Sequence, residues 1–280
     1  MKRFLLGAAG VALLGVAYVL AGLPSRSAVR SLATGDPGKT SVMRQREDEA
    51  RAAGRTPRNQ QSWVPLSRVS KHLIHAVLAA EDQNFFGHAG VDWDAVQKAV
   101  EADRKSGRFG RGGSTITQQL AKNLYFTTSR SLVRKARELV VARWLEQDLD
   151  KKRILELYLN VIEWGDGLYG CQAAAERYYG KPASALDEVE AAGLAAMIPN
   201  PRRINPRVDA RRHARAQRRV LWLMRSAGYL RRDTSGLGTE PPPEDRGDDA
   251  EDEPAAKAPP PETEPPLSPS PVPEASPPAR

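Results

Sequence analysis

Gly112-Gly-Ser-Thr-Ile-Thr-Gln-Gln-Leu-Ala-Lys-Asn123 is a glycine pair followed at once by a helix-forming run. Ser114 or Thr115 stands where an N-cap belongs, so a helix is predicted from there to Asn123. Exposed backbone N–H groups at such a start, with two hydroxyls beside them, suit an anion. Thr115, Gln119 and Lys122 fall at i, i+4 and i+7 and share one helical face. The order Gly-x-x-x-x-Gly-Lys-Ser/Thr is absent, so this is not a P-loop. A flexible loop with an ordinary cap is the plainer alternative.

Helical spacing continues on both sides. Upstream, Ser67 to Ala80 carries apolar residues at helical intervals with Ser67 as the expected cap, and Asp92 is placed to cap a helix over 94–102. Downstream, helices are expected over 131–149, 151–162, 173–179, 186–197 (capped by Ser184 or Asp187) and 208–227, the last ending at Gly228. No convincing alternation of period two appears, so the domain reads as all-α.

Three clusters call for a chemical reason. Glu81 and Asp82 end an apolar helix, where carboxylates meet the unfavourable end of its dipole. Phe85, His88 and two glycines follow within nine residues. An apolar wall beside a carboxylate raises its pKa and suits it to proton transfer, although a solvated acid pair would look the same in sequence. Arg130, Arg134, Lys135, Arg137 and Glu138 place one acid among four bases; the usual meaning of such a run is a solvated helix face. The stretch 208–227 holds Arg211, Arg212, Arg215, Arg218, Arg219 and Arg225. His72 and His75 are i, i+3, but no third ligand stands at metal-binding spacing. The single cysteine, Cys171, excludes a disulfide framework and reads as a small buried residue.

The ends differ from the middle. Residues 4–23 run without a charge, long enough to span a bilayer, and follow Lys2 and Arg3. A transmembrane anchor is expected there, with residues 1–3 cytoplasmic; a cleaved signal peptide is the alternative. Residues 24–61 are polar and punctuated by Gly and Pro, and read as a spacer. The domain is expected over 62–232. Residues 233–280 read as a disordered, acidic, Pro-rich tail. From Glu240 onward there are 11 Asp+Glu against 3 Lys+Arg, so the remaining 239 residues carry +16 of a chain total of +8. Export through a membrane argues against nucleic acid as the partner of so basic a domain.

Five blocks in order resemble the family 51 peptidoglycan glycosyltransferases of the monofunctional, membrane-anchored type. Glu81-Asp-Gln-Asn-Phe-Phe-Gly-His-Ala-Gly90 looks like E-D-x-x-F-x-x-H-x-G. Gly112 to Asn123 looks like G-G-S-T-I-x-Q-Q-x-x-K-N. Arg134-Lys-Ala-Arg-Glu138 looks like R-K-x-x-E. Lys151 to Asn160 looks like K-x-x-I-L-E-x-Y-L-N, and Ala174 to Lys181 like A-A-x-x-Y-F-G-K, with Tyr179 in place of phenylalanine. No Ser-x-x-Lys of a transpeptidase domain is present.

The resemblance implies a lysozyme-like fold on the outer face of the bacterial cytoplasmic (inner) membrane. It implies polymerisation of lipid II onto a lipid-linked growing glycan, by an inverting displacement that forms β-1,4 linkages and releases undecaprenyl pyrophosphate. It assigns Glu81 as general base and Glu138 as a second catalytic residue, one that holds a divalent cation or orients the basic residues. Asp82, Phe85, His88, Ser114, Thr115, Gln119, Lys122, Asn123, Arg130 and Lys135 would bind substrate. Mg²⁺ or Mn²⁺ at Glu138 is implied as well, as are other cell-wall synthesis proteins as partners. Trp93, Phe109 and Phe126 are the expected apolar contacts with lipid. A lysozyme-like glycan-cleaving enzyme and a basic membrane-associated binding module are the competing functions. The first has no need of a diphosphate site and the second none of Glu81.

Overall fold

A computed structural model of the chain describes residues 2–106, 113–129 and 131–230. The expected tail over 233–280 and most of the glycine-rich loop lie outside the described residues. The chain runs through α1 (Lys2–Ala21), α2 (Arg26–Arg30), α3 (Ser41–Ala52), α4 (Lys71–Glu81), α5 (Trp93–Ser106), α6 (Ile116–Tyr125), α7 (Leu132–Asp148), α8 (Lys151–Val161), α9 (Cys171–Tyr179), α10 (Glu188–Ala195) and α11 (Ala210–Ser226). Side-chain caps start most of them. Thr115, Ser131, Asp150, Asp187 and Asp209 each accept from a backbone N–H of the first turn. α4 is capped by Ser70 rather than Ser67, because residues 66–68 form a separate 3₁₀ turn.

The helices pack in two groups over one continuous core. α4, α10 and α11 pack on one another, while α6 packs against α3, α7 and α8. α6 buries Ile116, Leu120, Ala121 and Leu124 at helical spacing, and α8 buries Ile154, Leu155, Tyr158 and Leu159. The carboxyl end of α4 and the amino end of α6 meet where the two groups adjoin.

Three expectations are corrected by the fold. The domain is mostly helical but not all-α: β1 (Gln60–Gln61), β2 (Glu163–Gly165) and β3 (Leu168–Tyr169) form a sheet of order β1-β3-β2. β1 runs parallel and β2 antiparallel to β3. Strands of two or three residues are too short to show a period of two. The polar stretch 24–61 is folded rather than a spacer. Val29, Leu32, Val42 and Met43 are buried, and Arg46 Nε lies 3.1 Å from Glu163 Oε2. A few well-spaced apolar residues sufficed to bury a segment that is polar on average.

Finally, the span expected over 4–23 is not found: among the described residues, no helix is long and apolar enough to cross a membrane. α1 stops at Ala21, with Gly22 and Leu23 in a turn.

Gly167, in the β2–β3 turn, has φ +69°, and a Cβ there would stand 2.5 Å from the backbone oxygen of Arg58. Gly167→Ala is expected to destabilise the fold by about 2 kcal/mol, from left-handed strain plus displacement of the β1 approach. Urea denaturation of the purified variant measures this, and an unchanged midpoint would contradict it.

Candidate active site

The site is assembled around the junction of α4 and α6. Glu81, the last residue of α4, is half-buried, and its Oε2 accepts a hydrogen bond from Gln119 Nε2 at 2.7 Å. Gln119 is held in turn by Tyr158, whose hydroxyl donates to Gln119 Oε1 at 2.9 Å. Tyr158 is fully buried, so it fixes which end of the Gln119 amide faces the carboxylate. Burial pushes the Glu81 pKa up. The Gln119 bond and the Lys122 charge pull it back, and Asp82 pushes it further up. A carboxylate held this way is more basic than one in water.

Asp82 faces the other way and ties the elements together. His88 Nε2 lies 3.0 Å from both of its oxygens, and Ile116 N–H donates to Oδ2 at 3.0 Å. Gly90 N–H donates to His88 Nδ1, so His88 carries its proton on Nε2 and donates it to Asp82. Thr115 Oγ1 donates to the Gly90 carbonyl at 2.7 Å while accepting from Gln118 N–H as the cap of α6. These bonds lock the loop after α4 against the start of α6. Asp82→Ala would leave two buried donors unpaired and is expected to cost about 2–4 kcal/mol at two donors of ~1–2 each. A denaturation midpoint within error of wild type would contradict that reading.

The cationic part comes from α6 and α7. Lys135 Nζ donates to Ser114 Oγ at 2.7 Å and to Gln118 Oε1 at 2.8 Å. Glu138, buried, pairs with Arg134 and, at 3.6 Å, with Lys135. Lys122 is electrostatically coupled to both acids, Glu138 and Glu81. Among the described residues no hydrogen bond or ion pair holds its ammonium. Desolvation lowers its pKa, Glu138 and Glu81 oppose this, and Arg134 and Lys135 add to it. Lys135 is lowered too, by desolvation first, with Glu138 opposing. The result is a carboxylate of raised pKa coupled through Lys122 to a cationic cluster.

Several expected substrate contacts are placed otherwise. Phe85 is completely buried. Its ring is buried beneath Lys151, whose Nζ sits 4.3 Å from the ring centroid, and it supports the site from the core. Asp82, Thr115 and Asn123 are likewise buried; Asn123 Nδ2 donates to the Gln119 carbonyl at 2.8 Å. His88 is occupied by Asp82 and Gly90. Ser114, Gln119, Lys122 and Lys135 retain accessible surface, with Ser114 exposed. Arg130 and Phe109 lie outside the described residues. Of the expected lipid contacts, Phe126 is buried and Trp93 is 71% exposed. Tyr158 and Gln118 were missed in the sequence reading. The neighbouring Gln118-Gln119 pair offered a signal for the second, whereas nothing local marks Tyr158 as a partner of Gln119.

A divalent cation would need several oxygen ligands. Glu138 presents its oxygens to Arg134 and Lys135, and among the described residues no three His, Cys, Asp or Glu side chains come together to hold a metal ion. This donor set does not fit a resident cation.

The sequence is similar to those of known proteins. The family model described as "Transglycosylase" matches residues 48–225. A "Biosynthetic peptidoglycan transglycosylase" of Azoarcus sp. (strain BH72) is 50% identical over 192 residues, 68% of this chain and 83% of its own length. One of Aromatoleum aromaticum is 46% identical over 219 residues, covering 78% and 95%. One of Bordetella pertussis is 51% identical over 173 residues, covering 60% and 71%. With a family-model match over residues 48–225 and relatives near half identical over most of their own length, the chain belongs to the transglycosylase family and is a glycosyltransferase.

Proposed function

We propose that the chain polymerises lipid II into peptidoglycan glycan strands, the activity that the names of its relatives suggest. The observation that carries the reading is Glu81 held by Gln119 within the electrostatic reach of Lys122, which Glu138 also reaches. The acceptor is the 4-hydroxyl of a lipid II sugar, and the donor is the anomeric carbon of the growing strand. Glu81 takes the hydroxyl proton as the oxygen attacks C1. The bond from C1 to the diphosphate oxygen breaks, and undecaprenyl pyrophosphate leaves with the electron pair. Attack opposite to the leaving group inverts an α-linked donor to a β-1,4 product.

A sugar hydroxyl is a weak nucleophile at neutral pH, so a base of raised pKa lowers the barrier. A diphosphate leaves readily once its charge is met, and preorganised cations meet it without reorganisation. Lys122 and Lys135 have that role in this reading. Arg134 and Glu138 hold the cluster in place, Glu138 keeping several like charges together at short range.

The membrane part is also proposed. Leu13, Leu14, Val16, Tyr18 and Leu20 of α1 are each at least 55% exposed and point to different sides of the helix. An apolar circumference of that kind suits lipid rather than water. We infer that α1 seats in the cytoplasmic membrane and keeps the domain on its outer face, beside a substrate confined to the same plane.

The test is direct. Purified full chain is given labelled lipid II in vesicles, and products are resolved by length. Polymer sensitive to a muramidase is the expected result. Soluble fragments released from finished cell wall, with lipid II untouched, would favour glycan cleavage instead. Tight DNA binding with no turnover of either substrate would favour a basic binding module.

A further inference from the structure

Arg137 lies between Lys135 and Glu138 in sequence but has no part in the cleft. At about 100° per residue, it leaves α7 on another side from those two residues. Its guanidinium reaches 118 residues back along the chain. Nε donates to the Val19 carbonyl at 3.0 Å and Nη2 to the Tyr18 carbonyl at 2.6 Å. Its Cζ lies 5.1 Å from the centroid of the Tyr18 ring. Those carbonyls belong to the last turn of α1, where helical carbonyls lack intrahelical donors and the dipole is negative. α1 has no basic residue of its own in that turn. α7 supplies the missing cation.

Gly22 is a second and independent sign of this seat. A Cβ at residue 22 would overlap Cζ, Nη2 and Nε of Arg137. The backbone at Gly22 is not left-handed, so the turn itself does not call for glycine. What calls for it is the guanidinium lying flat against the chain. Further along α7, Arg26 reinforces the contact. It lies 5.2 Å from the Trp144 ring centroid and 3.0 Å from Asp148 Oδ1, which holds α2 to the same helix.

We propose that Arg137 is a positioning residue that clasps the end of α1 and so fixes the height and angle of the α7 cations relative to the bilayer. The proposal rests on the glycosyltransferase and membrane readings above. A lipid-linked diphosphate enters at a depth set by the membrane, whereas Lys135 and Glu138 stand at a depth set by how α7 is joined to α1. The clasp makes those two depths agree. A substrate without a membrane-bound lipid has no such constraint.

The experiment uses the full chain in phosphatidylethanolamine/phosphatidylglycerol vesicles, with two substrates: full-length lipid II embedded in the vesicles and a short-chain, water-soluble analogue. Arg137→Ala and Gly22→Ala are both expected to lose about tenfold in kcat/KM on the embedded substrate, within the ~10²-fold that a 1 Å misplacement can cost. Both should leave kcat/KM for the soluble analogue and the thermal midpoint unchanged. Arg137→Lys should recover part of the loss. Gly22→Ala displaces the guanidinium while leaving every α7 residue intact, so it separates the clasp from any direct effect of residue 137.

Equal losses on both substrates, or none on either, would overturn the proposal. Two controls on wild type isolate the underlying readings. Failure to polymerise either substrate removes the glycosyltransferase reading, and failure to float with the vesicles removes the membrane reading. Either failure takes this proposal with it, whereas a wild type that passes both and variants that show no substrate split condemn the clasp alone.

Discussion

Glu81→Gln is expected to reduce polymerisation by about 10²–10⁴-fold, the usual contribution of a positioned general base, without loosening the fold. Gln119 Nε2 can still donate to the amide oxygen of the new side chain, so the 2.7 Å contact and the Tyr158 support behind it survive. Stability should even rise. Burial holds the Glu81 pKa above its ordinary value, so the folded state favours the protonated form. The stability this represents is present below the ordinary glutamate range and is lost as pH rises through the folded pKa. At neutral pH the ionised carboxylate is therefore a cost that glutamine removes. Thermal melts at pH 7 should place the variant at or above wild type, and at pH 4 the two should converge. A variant that keeps activity would remove Glu81 from the chemistry. One that melts far below wild type at pH 7 would show that the carboxylate holds the fold together.

Lys122→Met is the second large effect. If its ammonium meets the departing diphosphate, its removal should cost about 10²–10³-fold in kcat, the scale of losing one preorganised charge contact. The stability sign again runs against the activity. The Lys122 pKa is lowered, by desolvation first. The stability associated with the neutral amine is present above the ordinary lysine value and is lost as pH falls through the folded pKa. At pH 7 methionine should therefore be tolerated or stabilising, and the difference from wild type should shrink as pH approaches 10. The wild-type rate profile follows from the same two groups. Its acid limb should lie above the ordinary glutamate pKa, because Glu81 must be ionised. Its alkaline limb should lie below the ordinary lysine pKa, because Lys122 and Lys135 must be charged. Lys122→Met should shift the acid limb upward, since Lys122 lowers the Glu81 pKa. An acid limb that stays in place would show that the two side chains do not share a cleft.

The local signals in the sequence were those with short range. Thr115, Ser131 and Asp187 mark helix starts because a cap bonds within three residues of itself. α7 and α8 carry apolar residues at helical spacing and end within a residue or two of where that spacing fails. Ser67 was a misleading cap: it sits in a 3₁₀ turn, and Ser70, three residues on, has the matching geometry. The sheet was invisible because its pairing joins Gln60 to Leu168, over a hundred residues apart, with too few residues in each strand to leave a pattern. The burial of 24–61 was hidden for a related reason. Val29 and the Val42-Met43 pair stand in a stretch that is polar on average and acquire meaning only against the helices they meet.

For the site, composition and order determined which chemical groups are present: a carboxylate after an apolar helix, hydroxyls and amides at a helix start, and an acid among bases. They could not distinguish groups that face substrate from groups that hold the frame. Asp82 and Glu81 are adjacent in sequence, yet one is spent on His88 and Ile116 N–H while the other stays available to Gln119 and the cleft. Phe85 belongs to a motif that reads as contact and lies in the core. Arg137 looks like one more charge in a basic run, and only the approach of α1 gives it a partner. Helix formation and capping depend on neighbours along the chain, so they can be read there. Burial, pKa and the division between support and contact depend on which distant surfaces meet, and the tertiary structure alone decides that.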